Sequence, residues 1–407
     1  MSRQEGLSQW TETVSTHLPH LSRPQVTVLA WWSYGIVLAQ CCGLTTVAAF
    51  LATLLDARDN TVRERLREWY RDAADKRGTQ RQELDVGGCC APLVRWVLAW
   101  WPTDERRLVL ALDATSLGDR FVVLVISVVY RGCALPVAWQ VLPATQPGAW
   151  RPHWEQLLSR LADSVPADWP VLVLADRGLY ARWLFTAIQA HGWHPFLRIN
   201  QGGLVRPAGT DAFVPLRTLV PTVGHAWCGE VTCFASRDSQ LACTLLARWD
   251  EGHRDPWLVL TDLAPTAAAV AWYGLRGWIE QGFKDYKRGG WQWQHTRMSD
   301  PTRVARLWLA LAVATLWVVS VGGEADASLP ASSWEALPAA HIARRRGRHR
   351  PPPRLLSCFR RGVLRILAAL LRGEPLPLGR FRPEPWPAAA GNVTTLVPPA
   401  AAWQAAA

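Results

Sequence analysis

The chain has 407 residues, enough for two or three domains and a sizeable buried core. Hydrophobic residues make up 49% of the chain and charged residues 19%, which excludes an intrinsically disordered chain and a coiled coil. An excess of 44 Lys and Arg over 33 Asp and Glu gives a net charge of +11, which favours an anionic partner, either nucleic acid or a membrane surface.

Residues 1–95 are predicted to form a helical DNA-binding domain. The uncharged segment 24–55 is long enough to cross a membrane, but Gln40 and Gly43 interrupt its middle. We therefore favour two buried helices here and keep a membrane span as the alternative. A second apolar stretch, 307–321, is shorter than the roughly 18 residues that a span needs.

A polar segment, 59–76, follows and is predicted to be a helix with Asp59 or Asn60 as its N-cap. Four arginines are spread around this helix: Arg63, Arg65, Arg67 and Arg71. An apolar helix pair followed by an arginine-rich helix is compatible with a helix-turn-helix DNA reader. A solvated surface helix accounts for the same composition.

The nine cysteines are an odd number without a C-x-x-C spacing, which argues against a zinc site. The opening residues lack the basic and then apolar form of a signal peptide. Both features favour a reducing, cytoplasmic location.

Residues 96–325 are predicted to form an α/β domain with a mixed sheet. Apolar, β-branched runs at 107–115, 121–130 and 134–142 indicate three antiparallel strands joined by short turns. A helix, a strand at 171–176, a second helix and a strand at 194–200 follow, which is the element order of a ribonuclease-H-like sheet. Residues 201–263 change to short strands, indicating a β-rich insertion, and helices return from about 266 to about 320.

Two acids come directly after fully apolar runs: Asp113 at the end of the first predicted strand and Asp176 at the end of the fourth. An acid in this position usually lies at the edge of the sheet, where ligands bind. An ordinary turn aspartate is the alternative for either residue alone.

A third acid lies in the segment 273–287. At 100° per residue, five polar side chains fall within about 80° of arc on one helical face. They are Tyr273, Arg276, Glu280, Lys284 and Lys287. This stripe presents a lone carboxylate between cations and a phenol, although an amphipathic helix with i,i+4 salt links has the same pattern.

The spacing Tyr273-x2-Arg276-x3-Glu280-x6-Lys287 resembles the signature of bacterial insertion-sequence transposases of the cut-and-paste DDE type. That group includes the element-four family and the transposase of transposon five. Asp113 in LDATS and Asp176 in ADRGLY match the positions of the first two family acids, and the β-rich insertion precedes the glutamate as in the family. The resemblance covers about residues 25–375, with a shorter insertion and C-terminal region than the family pattern.

The resemblance implies that Asp113, Asp176 and Glu280 are the catalytic residues and the metal ligands. Three neighbouring carboxylates repel one another unless cations lie among them, and two Mg²⁺ ions, with Mn²⁺ as a substitute, would supply that charge. Carboxylate oxygens are the ligands that Mg²⁺ prefers.

The resemblance also implies DNA contacts by Tyr273, Arg276 and Lys287, which would hold phosphates of the transposon end. We expect Lys284 to contribute from the same stripe and Arg198, after the fifth strand, to contact the DNA backbone. Trp291 is a candidate for stacking on an unpaired base.

Residues 326–407 are expected to form a basic, partly disordered C-terminal segment. Between residues 336 and 373 there are ten arginines and no acid. Residues 355–371 are predicted to be a basic amphipathic helix that suits nucleic acid or a membrane surface. Pro and Ala dominate from residue 374, where little order is expected.

These observations predict a DNA transposase that cleaves transposon ends and joins the 3′-hydroxyl to target DNA. Its partners would be double-stranded DNA and, by resemblance, a second copy of the chain in a synaptic complex, with no membrane. Two alternatives remain: a catalytically silent DNA-binding regulator that keeps the fold, and a membrane-associated protein. The Tyr-Arg-Glu-Lys spacing disfavours a third, another nuclease on the same sheet such as a resolvase.

Overall fold

A computed structural model describes residues 3–77, 81–102, 104–146, 150–329 and 356–387. Its centre is one ten-stranded mixed sheet with helices packed around it. The helices are α1 Arg3–His17, α2 Arg23–Ala39, α3 Leu44–Leu55, α4 Asp59–Glu68, α5 Cys90–Leu98, α6 Arg151–Ser159, α7 Arg182–Ala190, α8 Trp278–Tyr286, α9 Pro301–Ala325 and α10 Cys358–Arg372. The strands are β1 Leu108–Leu117, β2 Phe121–Tyr130, β3 Cys133–Pro143, β4 Val171–Ala175, β5 His194–Arg198, β6 Leu204–Pro207, β7 Val214–Pro215, β8 Ala226–Cys233, β9 Leu241–Arg248 and β10 Trp257–Thr261.

The uncharged segment near the N-terminus forms two helices, α2 and α3, with a 97° bend between them. Helix α4 begins at Asp59, but its N-cap is Arg58 and no side chain caps it, so the predicted caps Asp59 and Asn60 are wrong. It also ends at Glu68 rather than at residue 76. Trp69, the C-cap, and Tyr70 follow the last turn and are both buried.

Helix α9 joins the N-terminal helices to the sheet. Trp317 of α9 stacks on Trp10 with 4.4 Å between ring centroids, and Trp69 Nε1 donates a hydrogen bond to the Arg306 carbonyl at 2.9 Å. By length and composition α9 could cross a membrane, but 94% of its most apolar window is buried inside the molecule. A core helix that is apolar on every side has this property.

The first five strands have the predicted ribonuclease-H-like arrangement. Strands β1, β2 and β3 form an antiparallel meander, and β4 and β5 add to β1 in parallel. The crossovers α6 and α7 lie between β3 and β4 and between β4 and β5. The predicted fold class is therefore confirmed.

The β-rich insertion extends this sheet instead of forming a separate layer. The strand order is β3-β2-β1-β4-β5-β10-β9-β8-β6-β7, so β10 pairs with β5 and the other insertion strands follow outward. Within the insertion, the apolar run 213–220 also suggests a strand by its sequence, but only Val214–Pro215 is extended before a 3₁₀ turn. Strand β6 was not predicted.

The segment carrying the polar stripe is not one regular helix. Val270–Gly277 forms 3₁₀ turns, and the α-helix α8 starts only at Trp278. The tighter 3₁₀ winding places Tyr273 and Arg276 differently from the α-helical prediction, and both are buried.

The predicted C-terminal helix is present as α10, and it packs its apolar face on α9. The two helices cross so closely that a Cβ on Gly362 would lie 1.7 Å from the Val318 carbonyl oxygen. The expectation of little order from residue 374 is wrong up to residue 387, since Leu376 and Phe381 are buried. Arg344–Arg350 and residues 388–407 lie outside the described residues.

One hydrophobic core runs from Leu7 to Phe381, and a smaller cluster lies on the other face of the sheet. The N-terminal helices, the sheet and α10 therefore share buried contacts. The division at residues 95 and 325 stays a prediction.

Candidate active site

Asp113 and Asp176 are brought together by the parallel pairing of β1 and β4. The last paired residues are Leu112 and Ala175, and each aspartate comes directly after its paired residue. Asp113 lies within β1, which continues to Leu117 alongside β2, whereas Asp176 follows the end of β4. The two carboxylates consequently lie side by side where the parallel pairing stops.

Backbone N–H groups orient both carboxylates in the same way. The N–H of Ala114 donates to Asp113 Oδ1 at 2.8 Å, and the N–H of Gly178 donates to Asp176 Oδ1 at 2.8 Å. Each aspartate thus has one oxygen held by the chain, and its other oxygen, Oδ2, faces Arg276.

The guanidinium of Arg276 lies among three carboxylates. Its Nη2 forms a close ion pair with Asp113 Oδ2 and lies 3.3 Å from Asp176 Oδ2, while Nη1 lies 3.6 Å from Glu280 Oε1. The 3₁₀ turns before α8 bring the guanidinium into this position, and Glu280 lies in the first turn of α8. The structure therefore brings together the three acids that the sequence singled out.

Burial dominates the electrostatics of this cluster. It raises the pKa of Asp113 to about 7; Arg276 lowers that pKa, and Glu280 and Asp176 raise it further. Burial of Arg276 opposes its charge, but the nearby carboxylates, Asp113 first, outweigh burial and raise the guanidinium pKa. One cation among three carboxylates leaves an excess of negative charge.

Tyr273 and Arg198 are buried beneath the cluster, contrary to the expectation of direct DNA contacts. The Tyr273 ring packs edge-on against Trp257 at 5.3 Å between centroids. Arg198 Nη2 donates to the Pro256 carbonyl at 3.3 Å, and burial lowers the pKa of this guanidinium. Both side chains support the site from the core, and the predicted contact of Arg198 with the DNA backbone is wrong in this conformation.

The lysines of the stripe line a cleft of about 880 Å³ beside Glu280. Lys284 is exposed, and Lys287 Nζ donates to Thr115 Oγ1 at 2.9 Å and to the Ser116 carbonyl at 3.1 Å. Burial lowers the pKa of Lys287, and the nearby Glu280 raises it. The cleft thus joins the acid cluster to a cationic wall.

A comparison with protein-family models matches residues 106–317 to the transposase DDE domain. The chain belongs to the DDE transposase family. The match contains all three acids of the cluster and the lysines of the cleft. No curated protein matches the chain. Membership of the element-four or transposon-five group within this family stays a prediction.

The oxygen donors of this transposase are of the type that binds a divalent metal, but their arrangement is not that of a metal centre. Within the described ranges, no group of three His, Cys, Asp or Glu side chains is arranged to hold a metal ion. The Arg276 guanidinium, which contacts all three carboxylates, provides the positive charge instead. The excess negative charge and the two aspartates held by backbone N–H groups are chemically compatible with a divalent cation.

Arg288 is a further cation of the transposase cleft that the sequence analysis did not select. It is exposed, directly follows Lys287 and lines the same cleft. Its position directly after the last signature residue could have suggested it as a candidate DNA contact. The direction of its side chain could not be predicted, because α8 ends at Tyr286 and the following residues are not helical.

Trp291 lies in the core of the transposase, so the prediction that it stacks on a base is wrong in this conformation. Its side chain is fully buried, Nε1 donates to Thr315 Oγ1 at 2.9 Å, and the ring packs on Phe359 at 4.9 Å between centroids. A base would have to displace α10 to reach this indole.

Proposed function

We propose that this transposase cleaves DNA at transposon ends and joins the resulting 3′-hydroxyl to target DNA. The observation that carries the proposal is the convergence of Asp113, Asp176 and Glu280, which are far apart in sequence, around one guanidinium. A purely structural ion pair would need one carboxylate for one guanidinium, whereas three neighbouring carboxylates repel one another and destabilise the folded chain.

Asp113, Asp176 and Glu280 would hold Mg²⁺, with two ions as the proposed number and Mn²⁺ as a substitute. When bound, the metal would supply Lewis acidity and charge for in-line displacement at phosphorus. The N–H groups of Ala114 and Gly178 keep one oxygen of each aspartate fixed, so the ligand oxygens need little reorganisation.

The cations of the cleft would position the DNA. Lys284, Lys287 and Arg288 line the space beside Glu280 and can neutralise phosphates next to the bond that breaks. Lys287 is already held by Thr115, so it loses little side-chain entropy when it contacts a phosphate. If a metal displaced Arg276 from the carboxylates, its guanidinium would add a fourth cation to the same region.

The proposed partners are double-stranded DNA, both transposon ends and target, and a second copy of the chain in a synaptic complex. We also propose the division into a DNA-binding region (1–95), a catalytic region (96–325) and a basic C-terminal segment (326–407), with function in the cytoplasm. The exposed Arg63, Arg65 and Arg67 on α4 support a DNA-binding role for the first region.

The proposal is tested with Asp113→Asn, Asp176→Asn and Glu280→Gln. These changes keep shape and remove the charge that holds a divalent ion, so each should abolish Mg²⁺-dependent cleavage of end-containing DNA and leave DNA binding nearly intact. The substrate is a labelled duplex carrying the inverted repeats that flank the gene. Asp211→Asn, an exposed acid in the insertion, is the matched control.

Mn²⁺ should support cleavage, and Ca²⁺ should permit assembly with little cleavage, because its looser coordination suits the reaction poorly. Near-parent cleavage by any one of the three variants would remove that residue from the metal site. A parent chain that binds end DNA but never cleaves it would instead favour the silent regulator.

A further inference from the structure

A second groove, of about 990 Å³, lies between the N-terminal helices and the segment that follows α8. Five arginines line it, against a single acid, Asp75. They are Arg67, Arg71, Arg77, Arg297 and Arg303. Because one carboxylate cannot neutralise five guanidinium groups, the lining carries a clear excess of positive charge.

Ion pairing reduces this excess only in part. Arg67 and Arg71 pair with glutamates of α4, and Arg303 lies 3.7 Å from Asp75 with both side chains about half exposed. Among the residues that the structure describes, Arg77 and Arg297 form no ion pair. Both are exposed, so both are available to an anionic ligand.

The N-terminus of α3 adds partial positive charge to the same groove. Leu44, Thr45 and Thr46, in the first turn of this 12-residue helix, line the groove. The N-cap is Gly43, which supplies no side-chain hydrogen bond, so first-turn N–H groups remain available to an acceptor oxygen.

The groove adjoins the cleft of the acid cluster through one loop. Gln294 lines the cleft beside Glu280, while its neighbours Gln292 and His295 line the groove. The loop following α8 therefore separates two cationic depressions, one on each side. A single anionic polymer can pass over this loop and occupy both.

We infer that this groove binds the sugar–phosphate backbone of the duplex DNA whose end enters the acid cluster. The inference rests on the proposed function for its ligand, but it concerns a separate surface. Arginine side chains and helix N-termini recognise phosphate without reading sequence, so the groove contributes affinity and register rather than specificity.

The first test measures binding of a fluorescein-labelled duplex of random sequence by anisotropy at several salt concentrations. Arg77→Ala combined with Arg297→Ala should make the salt dependence shallower: the negative slope of log association constant against log salt should shrink by about 2. Binding should weaken about tenfold, as expected for two lost phosphate contacts. Arg217→Ala combined with Arg237→Ala removes two exposed arginines of the insertion outside the groove; this double variant is the matched control and should change neither value.

The second test locates the DNA by protection of a cysteine. Cys41 is partly exposed and lines the groove, whereas Cys228, also partly exposed, lies in β8 away from it. Saturating duplex should slow alkylation of Cys41 by N-ethylmaleimide several-fold and leave Cys228 unchanged. This readout uses the parent chain, so it does not depend on how the variants fold.

Two results would overturn the inference: an unchanged salt slope in the double variant, or equal alkylation of Cys41 with and without duplex. Protection by single-stranded RNA but not by duplex DNA would assign the groove to another nucleic acid. Parent cleavage of end DNA is measured separately, so loss of the groove and loss of the proposed catalytic function remain distinguishable.

Discussion

Arg276 is the residue whose role the fold redefines. The resemblance to the transposase signature implies a contact of Arg276 with DNA phosphate, whereas the structure buries the guanidinium among Asp113, Asp176 and Glu280. A buried cation in contact with three carboxylates acts as their counter-ion. Any divalent cation that enters must compete with this guanidinium.

We expect Arg276→Gln to tighten the binding of Mn²⁺ to the DNA-free chain by about tenfold or more, because a unit charge about 4 Å away costs an incoming cation several kcal/mol. Electron paramagnetic resonance of free Mn²⁺ measures this affinity. Arg95→Gln, outside the cluster, should leave it unchanged. Weaker Mn²⁺ binding by Arg276→Gln would mean that the guanidinium organises the carboxylates rather than competing for them.

Asp285, which lies outside the acid cluster, makes the free energy of unfolding depend on pH. Burial raises its pKa from 3.8 to about 7, against the lowering effects of the Gln281 hydrogen bond and of Lys284. The folded chain then binds this proton more tightly than the unfolded chain does. The contribution of Asp285 to the free energy of unfolding is therefore complete at low pH and is lost as pH rises from about 4 to about 7.

Asp285→Asn should remove this loss, because an amide keeps the oxygen that accepts from Gln281 and cannot ionise. We expect the variant to be more stable than the parent at pH 8 by on the order of 4 kcal/mol and nearly equal to it at pH 4. Urea unfolding at both pH values measures the difference. An equal gain at both pH values would point to packing instead of ionisation.

Sequence reasoning could select acids but could not assign exposure. Asp113 and Asp176 were found because a carboxylate after an apolar strand is unusual in a core. The burial of Tyr273 and Arg198 depends on Trp257 and Pro256, which reach the site only through the pairing of β10 with β5. No local pattern contains that information.

At the scale of elements, the close crossing of α9 and α10 fixes the C-terminal helix. The helices meet at Gly322 and Gly362, where either Cβ would lie less than 2 Å from a carbonyl oxygen of the other helix. The amphipathic pattern of α10 could be predicted from the sequence. The packing of this helix on α9 could not, because the same apolar face would suit a membrane surface.

Gly362→Ala should destabilise the chain by about 3 kcal/mol or more, because the added methyl group forces the two helices apart. Gly202→Ala is the matched control, since its Cβ would meet no atom within 4 Å and its φ is not left-handed. Thermal unfolding with a circular-dichroism readout compares the two variants. Equal melting temperatures would show that α10 can shift without cost.

At the scale of the whole molecule, the net charge of +11 is distributed over distinct surfaces. The two cationic depressions are lined by described residues, and a further cluster of arginines lies in the sequence before α10. Deleting the C-terminal region would also remove Cys358 and Phe359 from the core, so a deletion cannot report on charge alone.

Neutralising the arginine cluster avoids this problem. Changing Arg344, Arg345, Arg346, Arg348 and Arg350 to Gln leaves the sequence of α10 unchanged. For duplex DNA, the negative slope of log association constant against log salt should shrink in magnitude by up to about 4. The melting temperature of the variant is the control for folding. An unchanged slope would rule out phosphate contacts by this segment.

The pairing of β5 with β10 has a consequence for synthesis on the ribosome. Strand β5 ends at Arg198 and its neighbour begins at Trp257, so the edge of β5 has no partner while the intervening residues emerge. An apolar strand with an open edge can pair with other chains. The nascent transposase therefore passes through a stage in which aggregation competes with completion of the sheet, and chaperone demand should be greatest there.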